Sequence, residues 1–444
     1  MGFFDRLFSR SQAEEEEQPS IRFGRYSDSY KTADNYKAWD VALENFEKEA
    51  YLDCYTEFLH YLRDEEEDNV KWWKEENGVR FEIYQGSKKI IGFADADKLK
   101  AKAKVARTES LNVGFMRRLI EQNFTLKYSR FALDKENNIS IVFDTYNLDG
   151  SPYKLYYALK EVATNADKQD DLLLDEFQVL LPVDTSHLEG VPDPEKEVKY
   201  QLMQEEIAKT LDVMENGRLS TEQYPGAMAY LLLNLVYKLD YLIKPEGFTM
   251  ETLERIHRLY FAKDGKTTAQ KNQLLVRDLK KLLGRKKEHF FKEMYRVKST
   301  FGITTPVNHD RVVSFIDSEL SHMDWYRENG DHHYALSVPG YIVGYCLFNY
   351  AVPKPDRDLF HLYFKVTNAA YFQKLGFTYQ YVNTTENQLN KKSIKKAIDR
   401  IVDENKAKYY KFNPITSSLR FDSMAGFIKS YLLMIRNLDL TKKD

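Results

Sequence analysis

The densest group of side chains able to do metal or acid–base chemistry is His322, Asp324, Asp331, His332, His333 and His361. Imidazoles and carboxylates gathered in this way could ligate a transition metal or move protons near neutral pH. Their spacing argues against it. His332 and His333 are adjacent, so on a helix or strand they point in different directions, and no HExxH spacing occurs. Surface histidines after an Asn329-Gly330 turn are the simpler reading; a metal-dependent enzyme with its site in the C-terminal part is an alternative. Cys346 lies in an apolar run and reads as a core thiol rather than a nucleophile. Asp167, Asp170, Asp171, Asp175 and Glu176 could hold a cation, but helix capping and a solvated face account for them. Gly86-Ser87-Lys88 lacks the glycine spacing of a phosphate-binding loop and reads as a turn between strands. No GxSxG or dinucleotide fingerprint is present. The expectation is a non-enzyme, with no catalytic residue, no metal site and no cofactor.

Two stretches carry binding chemistry instead. Lys280, Lys281, Arg285, Lys286, Lys287 and Lys292 crowd together, followed by Arg296 and Lys298. A basic helix over 277–298 could dock on nucleic acid, acidic lipid or an acidic protein segment. The competing reading is a solvated face whose charge offsets the acidic N-terminal half. The second stretch is the N-terminus, where Phe3, Phe4, Leu7 and Phe8 share one face of a short helix. It could hook into a partner groove or a membrane surface, or it could be a frayed leader before the acidic run 14–17.

The elements that must position these groups follow from composition and pattern. The chain has 444 residues, enough for two or three domains, with a net charge of -3 that excludes neither protein nor small-molecule partners but gives no nucleic-acid footprint. Two cysteines make no disulfide framework or zinc spacing, so a reducing cytoplasm is expected. No apolar run is expected to span a bilayer; 227–243 is too interrupted by Asn234, Lys238 and Asp240 and reads as a buried bundle helix. Four parts are expected. These are a flexible N-terminal segment over 1–24, an α+β module over 25–182, a helical bundle over 193–303 and a second α+β module over 304–444.

In the first module a helix over 39–62 precedes strands near 80–84, 89–94 and 100–107. Val113, Met116, Leu119 and Ile120 share a helical face. Phe131 and Leu133, then Ile139, Ile141 and Phe143, alternate as a hairpin about a turn over 134–138. Ser151 caps a further helix with Pro152 at its first position. In the bundle, helices are expected near 195–215, 221–243, 250–262 and 268–299, the last breaking at Gly284. After Pro306, a helix over 310–327 is followed by strand-like runs at 341–350, 359–366 and 377–382. A helix at 391–402, two short strands and a closing helix over 422–436 complete the chain.

The strand 128–134, the strand 141–144 and the segment 166–173 together resemble the YbjN and type III secretion chaperone-like fold. The resemblance covers about 36–180 and implies helices on one face of a twisted antiparallel sheet, in the order α-β-β-β-α-β-β-α. The C-terminal part repeats that order on paper, as a degenerate second copy over 306–438. The resemblance implies non-catalytic binding of a protein or peptide client, as a chaperone, adaptor or scaffold. Chaperones of this kind work as homodimers, so two copies in one chain would form an internal pseudo-dimer.

Overall fold

The computed structural model describes residues 18–110, 112–383, 386 and 388–443. It begins with an extended strap, 18–31, followed by α1 (Ala33–Glu47) and α2 (Tyr51–Leu62). Thr32 opens α1 with a reciprocal capping box to Asn35. The expected single helix over 39–62 is therefore two. Glu49 adopts φ +60° and reverses the chain, so that Trp39 packs back on Tyr61 at 4.7 Å. No glycine or proline marks that reversal.

Strands β1 (Val70–Glu75), β2 (Gly78–Gln85), β3 (Lys88–Ala94) and β4 (Lys98–Thr108) form an antiparallel meander. Helix α3 (Val113–Asn123) then leads to β5 (Arg130–Leu133), β6 (Asn138–Tyr146) and α4 (Pro152–Glu176). The sheet order is β1-β2-β3-β4-β6-β5, and β7 (Leu180–Pro182) pairs with the end of β4. The chain therefore has one strand more in its meander than the resemblance implies: β1, which carries Trp72 and Trp73, was not expected. The period-two rule explains β4, where Leu99, Ala101, Ala103 and Val105 are buried while Lys100, Lys102 and Lys104 face out. Helix α4 covers the inner face with Leu155, Leu159, Val162 and Ala166. Its Ser151 cap accepts from the Lys154 amide, and Asn137 takes the positive φ expected of the hairpin turn.

From β8 (Glu189–Gly190) onward the protein is almost wholly helical. Helices α5 (Asp193–Asn216), α6 (Pro225–Ile243), α7 (Gly247–Phe261), α8 (Thr268–Leu283) and α9 (Lys287–Lys292) make the bundle, ending in β9 (Tyr295–Arg296) against β8. The C-terminal part does not repeat the first module. After β10 (Thr305–Pro306) come α10 (His309–Glu319), α11 (His322–Glu328), α12 (His332–Asn349), β11 (Tyr350–Ala351), α13 (Lys354–Thr367) and α14 (Ala369–Lys374). The strand pair β12 (Val382–Asn383) and β13 (Gln388–Leu389) precedes α15 (Lys391–Asn405) and α16 (Met424–Arg436). The α+β class stands, but the second sheet module and the internal pseudo-dimer do not.

The reason is burial. The runs 341–350 and 359–366 are mostly apolar because they lie in largely buried helices, with only His361 and Lys365 of the second run turned to a cleft, and a short apolar run reads the same as an interior strand. Gly340 and Gly344, one turn apart, bring the α12 backbone against α6. A Cβ at either would collide with Asn234 or Tyr237. The bundle and the C-terminal helices share one continuous core, with α6 at its centre. Helix α6 is long and apolar enough to cross a membrane by composition, but 78% of its apolar window is buried inside the protein.

Three connections join the two cores. The first is the strap, where Arg25 is held by both oxygens of Asp240 (2.9 and 2.7 Å) and by Glu254 (3.1 Å), and lies over the Phe348 ring. Burial alone would lower its pKa; the two carboxylates more than offset this and raise it. The second is the segment after β9. Gln85 Oε1 accepts from the Thr300 and Phe301 amides, and Phe301 enters the sheet module's core.

The third connection is a carboxylate layer beneath α4. Asp167 accepts from the Ser87 amide (2.8 Å), Asp170 from Ser87 Oγ (2.7 Å), and Asp171 from the Tyr295 hydroxyl (2.8 Å). Lys88, fully buried, pairs with Asp170 at 2.8 Å. The solvated face expected for these aspartates is thus an interior contact, and only Asp175 and Glu176 at the helix end are exposed. Gly86 (φ +54°) completes the turn read from Gly86-Ser87-Lys88, because a Cβ there would collide with the Asp167 carboxylate. Burial, then Glu246, pushes the Asp167 carboxyl well up; burial, then Asp170, does the same to Asp171. Burial raises Glu246 to about 7, against the opposing pull of Lys244.

Two outcomes follow. Arg25→Ala strands Asp240 as a buried charge, while Glu254 keeps Arg258 at 3.4 Å and Lys168 at 3.7 Å; urea denaturation should show a loss of about 3–5 kcal/mol, and adding Asp240→Asn should restore part of it. For Glu246, the folded state binds more proton than the unfolded state between about 4.5 and 7, so its contribution is full below that window and lost as pH rises through it. Glu246→Gln should therefore melt higher than the parent at pH 8, with the difference shrinking towards pH 5 in parallel melts.

Candidate functional site

Helix α3 is built from two apolar stripes. Asn112 caps it, its side chain accepting from the Gly114 amide at 2.7 Å. Phe115 and Leu119 turn inward, Phe115 meeting Phe177 edge-on. The second stripe, Val113 and Ile120 with the half-buried Met116 between them, continues into Phe124 at the C-cap and turns outward. Val113 is 85% exposed, Ile120 59% and Phe124 90%. Spacing places Val113, Met116, Leu119 and Ile120 on one face; the structure divides them, with Leu119 buried in the core, Met116 half-buried against it, and Val113 and Ile120 exposed. Phe115, which takes the inward role, and Phe124, the most exposed of these side chains, were not read as such. The signal for Phe124 was present, since it falls four residues after Ile120.

The neighbouring sheet edge is closed to added strands at one point. Asn123 Oδ1 accepts from the outward Phe131 amide of β5 at 2.8 Å, and Glu161 takes the Lys127, Tyr128 and Ser129 amides. The helix face is the open surface there, a shallow groove lined by Val113, Met116, Ile120 and Arg117. Exposed contiguous apolar side chains of this size mark contact surfaces.

The basic stretch is not one helix. Gly284 ends α8, and the cations are distributed over α8, a loop, α9 and β9. Most have partners: Lys281 pairs with Asp278, Arg285 with Glu293 and Asp175, Lys287 with Glu197, and Lys298 with Asp68. Lys280, Lys286 and Lys292 are exposed. These neutralising contacts take most of the charge that a phosphate backbone would need. Phe3, Phe4, Leu7 and Phe8 lie outside the described residues.

The histidine set is dispersed. His322 meets the Tyr230 hydroxyl at 2.9 Å, Asp324 binds Lys429 at 2.6 Å, and Asp331 faces Arg218. His332 and His333 are exposed at the start of α12. His361 stands apart from them on α13, in a cleft where burial, then Arg357, pushes its pKa down to about 3. Among the described residues no three His, Cys, Asp or Glu side chains are grouped to hold a metal ion. Cys346 is buried among helices, and burial pushes its thiol pKa up, away from the reactive range. Comparison with known proteins finds no family model that matches the chain and no curated protein that matches it in sequence.

Proposed function

We propose that this protein binds another protein without catalysis, and that the outward stripe of α3 is the contact. The observation that carries the reading is the exposure of Val113, Ile120 and Phe124 on a helix whose other face is anchored in the core. The anchoring matters because a rigid helix loses little entropy on binding. The resemblance to secretion chaperones points the same way.

The occupant that fits is an amphipathic helix of the partner, laid along α3 with its apolar face on these side chains. A second copy of this chain fits less well. The 11 residues of α3 make a face roughly 16 Å long and 10 Å wide. That is well short of the roughly 800 Å² per partner that a stable dimer buries. A small apolar contact of this kind suits reversible engagement of a client.

A photo-crosslinking amino acid placed at Ile120, and another at Lys280, would test this in cells. The account expects a discrete protein adduct from position 120 and none from position 280. The identified partner, once purified, should bind Ile120→Asp or Phe124→Asp at least about tenfold more weakly than the parent. Both substitutions are at exposed positions, so melting should hardly change. Equal binding by the parent and both variants would overturn the reading.

A further inference from the structure

A cleft of about 1030 Å³ opens between the strap and the helical part. One wall is α13, where Arg357, His361 and Lys365 follow at four-residue steps and so share a face. Each meets an aromatic ring from a different element. The Arg357 guanidinium lies 4.1 Å over Tyr30 of the strap, and the His361 ring lies 5.5 Å from Tyr241 of α6. The Lys365 ammonium lies 5.0 Å over Tyr379. Lys244, just past the end of α6, lines the same cleft.

Burial keeps His361 neutral, so Arg357 and Lys365 stand as like charges two turns apart, and partial burial removes the water that would screen them. Elsewhere this protein matches its buried cations: Arg25 has two carboxylates, and Lys88 has Asp170. Here the match is incomplete. Among the described residues no carboxylate lies within 4.0 Å of Lys365 or Lys244, and burial holds both of their pKa values down. The Arg357 Nε is buried without a hydrogen bond; its nearest carboxylate, Asp358 at 3.5 Å, is held more closely by Lys354 at 2.7 Å. Of the carboxylates on the opposite wall, Asp28 is engaged by Tyr156, Asp64 by Tyr26 and Glu67 by Arg22, while Asp34, Glu65 and Glu66 line it exposed to solvent. Eight residues of α13 separate Arg357 from Lys365, about 12 Å along the axis. That suits an extended, multiply charged ligand rather than a single carboxylate. The three aromatic rings beside the cations suit a ligand that also carries a flat ring system.

We propose that this cleft binds a small organic phosphate, its phosphate groups on Arg357, Lys365 and Lys244 and its ring against Tyr30 and Tyr379. This site is separate from α3, and neither proposal depends on the other. The test is calorimetric titration of the full chain with ATP and with inorganic pyrophosphate, at low and high salt. One site per chain is expected, with ATP binding tighter than pyrophosphate and both weakening as salt rises. Lys365→Ala and Arg357→Ala should each lower the affinity at least about tenfold. A second readout needs no substitution: the ligand's negative charge should raise the pKa of His361, followed by its imidazole proton resonance in the parent protein. Absence of saturable binding by either probe at millimolar concentration would overturn the proposal. So would binding that both variants leave unchanged and that does not move His361.

Discussion

A buried guanidinium cannot stand alone, and the arrangement of this protein follows from how Arg25 is matched. Asp240 and Glu254 come from two helices of the large helical core, whereas Arg25 belongs to a strap that continues directly into the sheet module. With the charges paired, the strap must lie in one place, and Phe23 packs among Tyr241, Phe372 and Phe377 beside it. Tyr26 then reaches Asp64 in the sheet module, and Tyr30 reaches the Val352 carbonyl in the helical part. The carboxylate layer beneath α4 and the Thr300-Phe301 insertion make the same joint from the other side. Removing one member of a buried charge network costs more than the network contributes when complete. The joint is therefore fixed in geometry rather than merely adhesive.

That rigidity determines what is left to bind. The helical core covers its own apolar stripes, and the sheet module covers one face with α4, while Val113, Ile120 and Phe124 of α3 stay exposed. Within the basic stretch, Arg285 and Lys287 are spent on internal ion pairs with Asp175, Glu293 and Glu197 that tie α5 and α9 to the joint. On α13, by contrast, cations face open volume because the strap arches over them without supplying carboxylates to Lys365. Two surfaces of different chemistry, one apolar and one cationic, are thus held at fixed separation on one body.

Features governed by local chemistry were legible in the sequence. Ser151-Pro152, the Asn137 turn, the Gly284 break and the β4 alternation all depend on a residue and its immediate neighbours. Features governed by distant contacts were not. The reversal at Glu49 has no breaker, and its cause is the packing of Trp39 on Tyr61 and Phe58. The runs 341–350 and 359–366 give the same text whether buried as strands or as helices, and only the all-helical surroundings decide between them. Asp167, Asp170 and Asp171 look like a solvated face until the Ser87-Lys88 turn is brought against them from 80 residues away. For the candidate site, α3 itself was readable, but which of its two stripes met the core depended on Phe177 and the sheet beyond it. The cationic wall of the cleft left no local signature at all.

The central claim is that the sheet module and the helical part unfold as one body because of this joint. Native-state hydrogen exchange, followed through rising denaturant, measures it directly at the Ile83 amide in β2 and the Leu235 amide in α6. The account predicts that both merge into a single global opening with the same free energy and the same denaturant slope. Separate openings, with one amide exchanging well below the other across the whole range, would show two independent domains and contradict it.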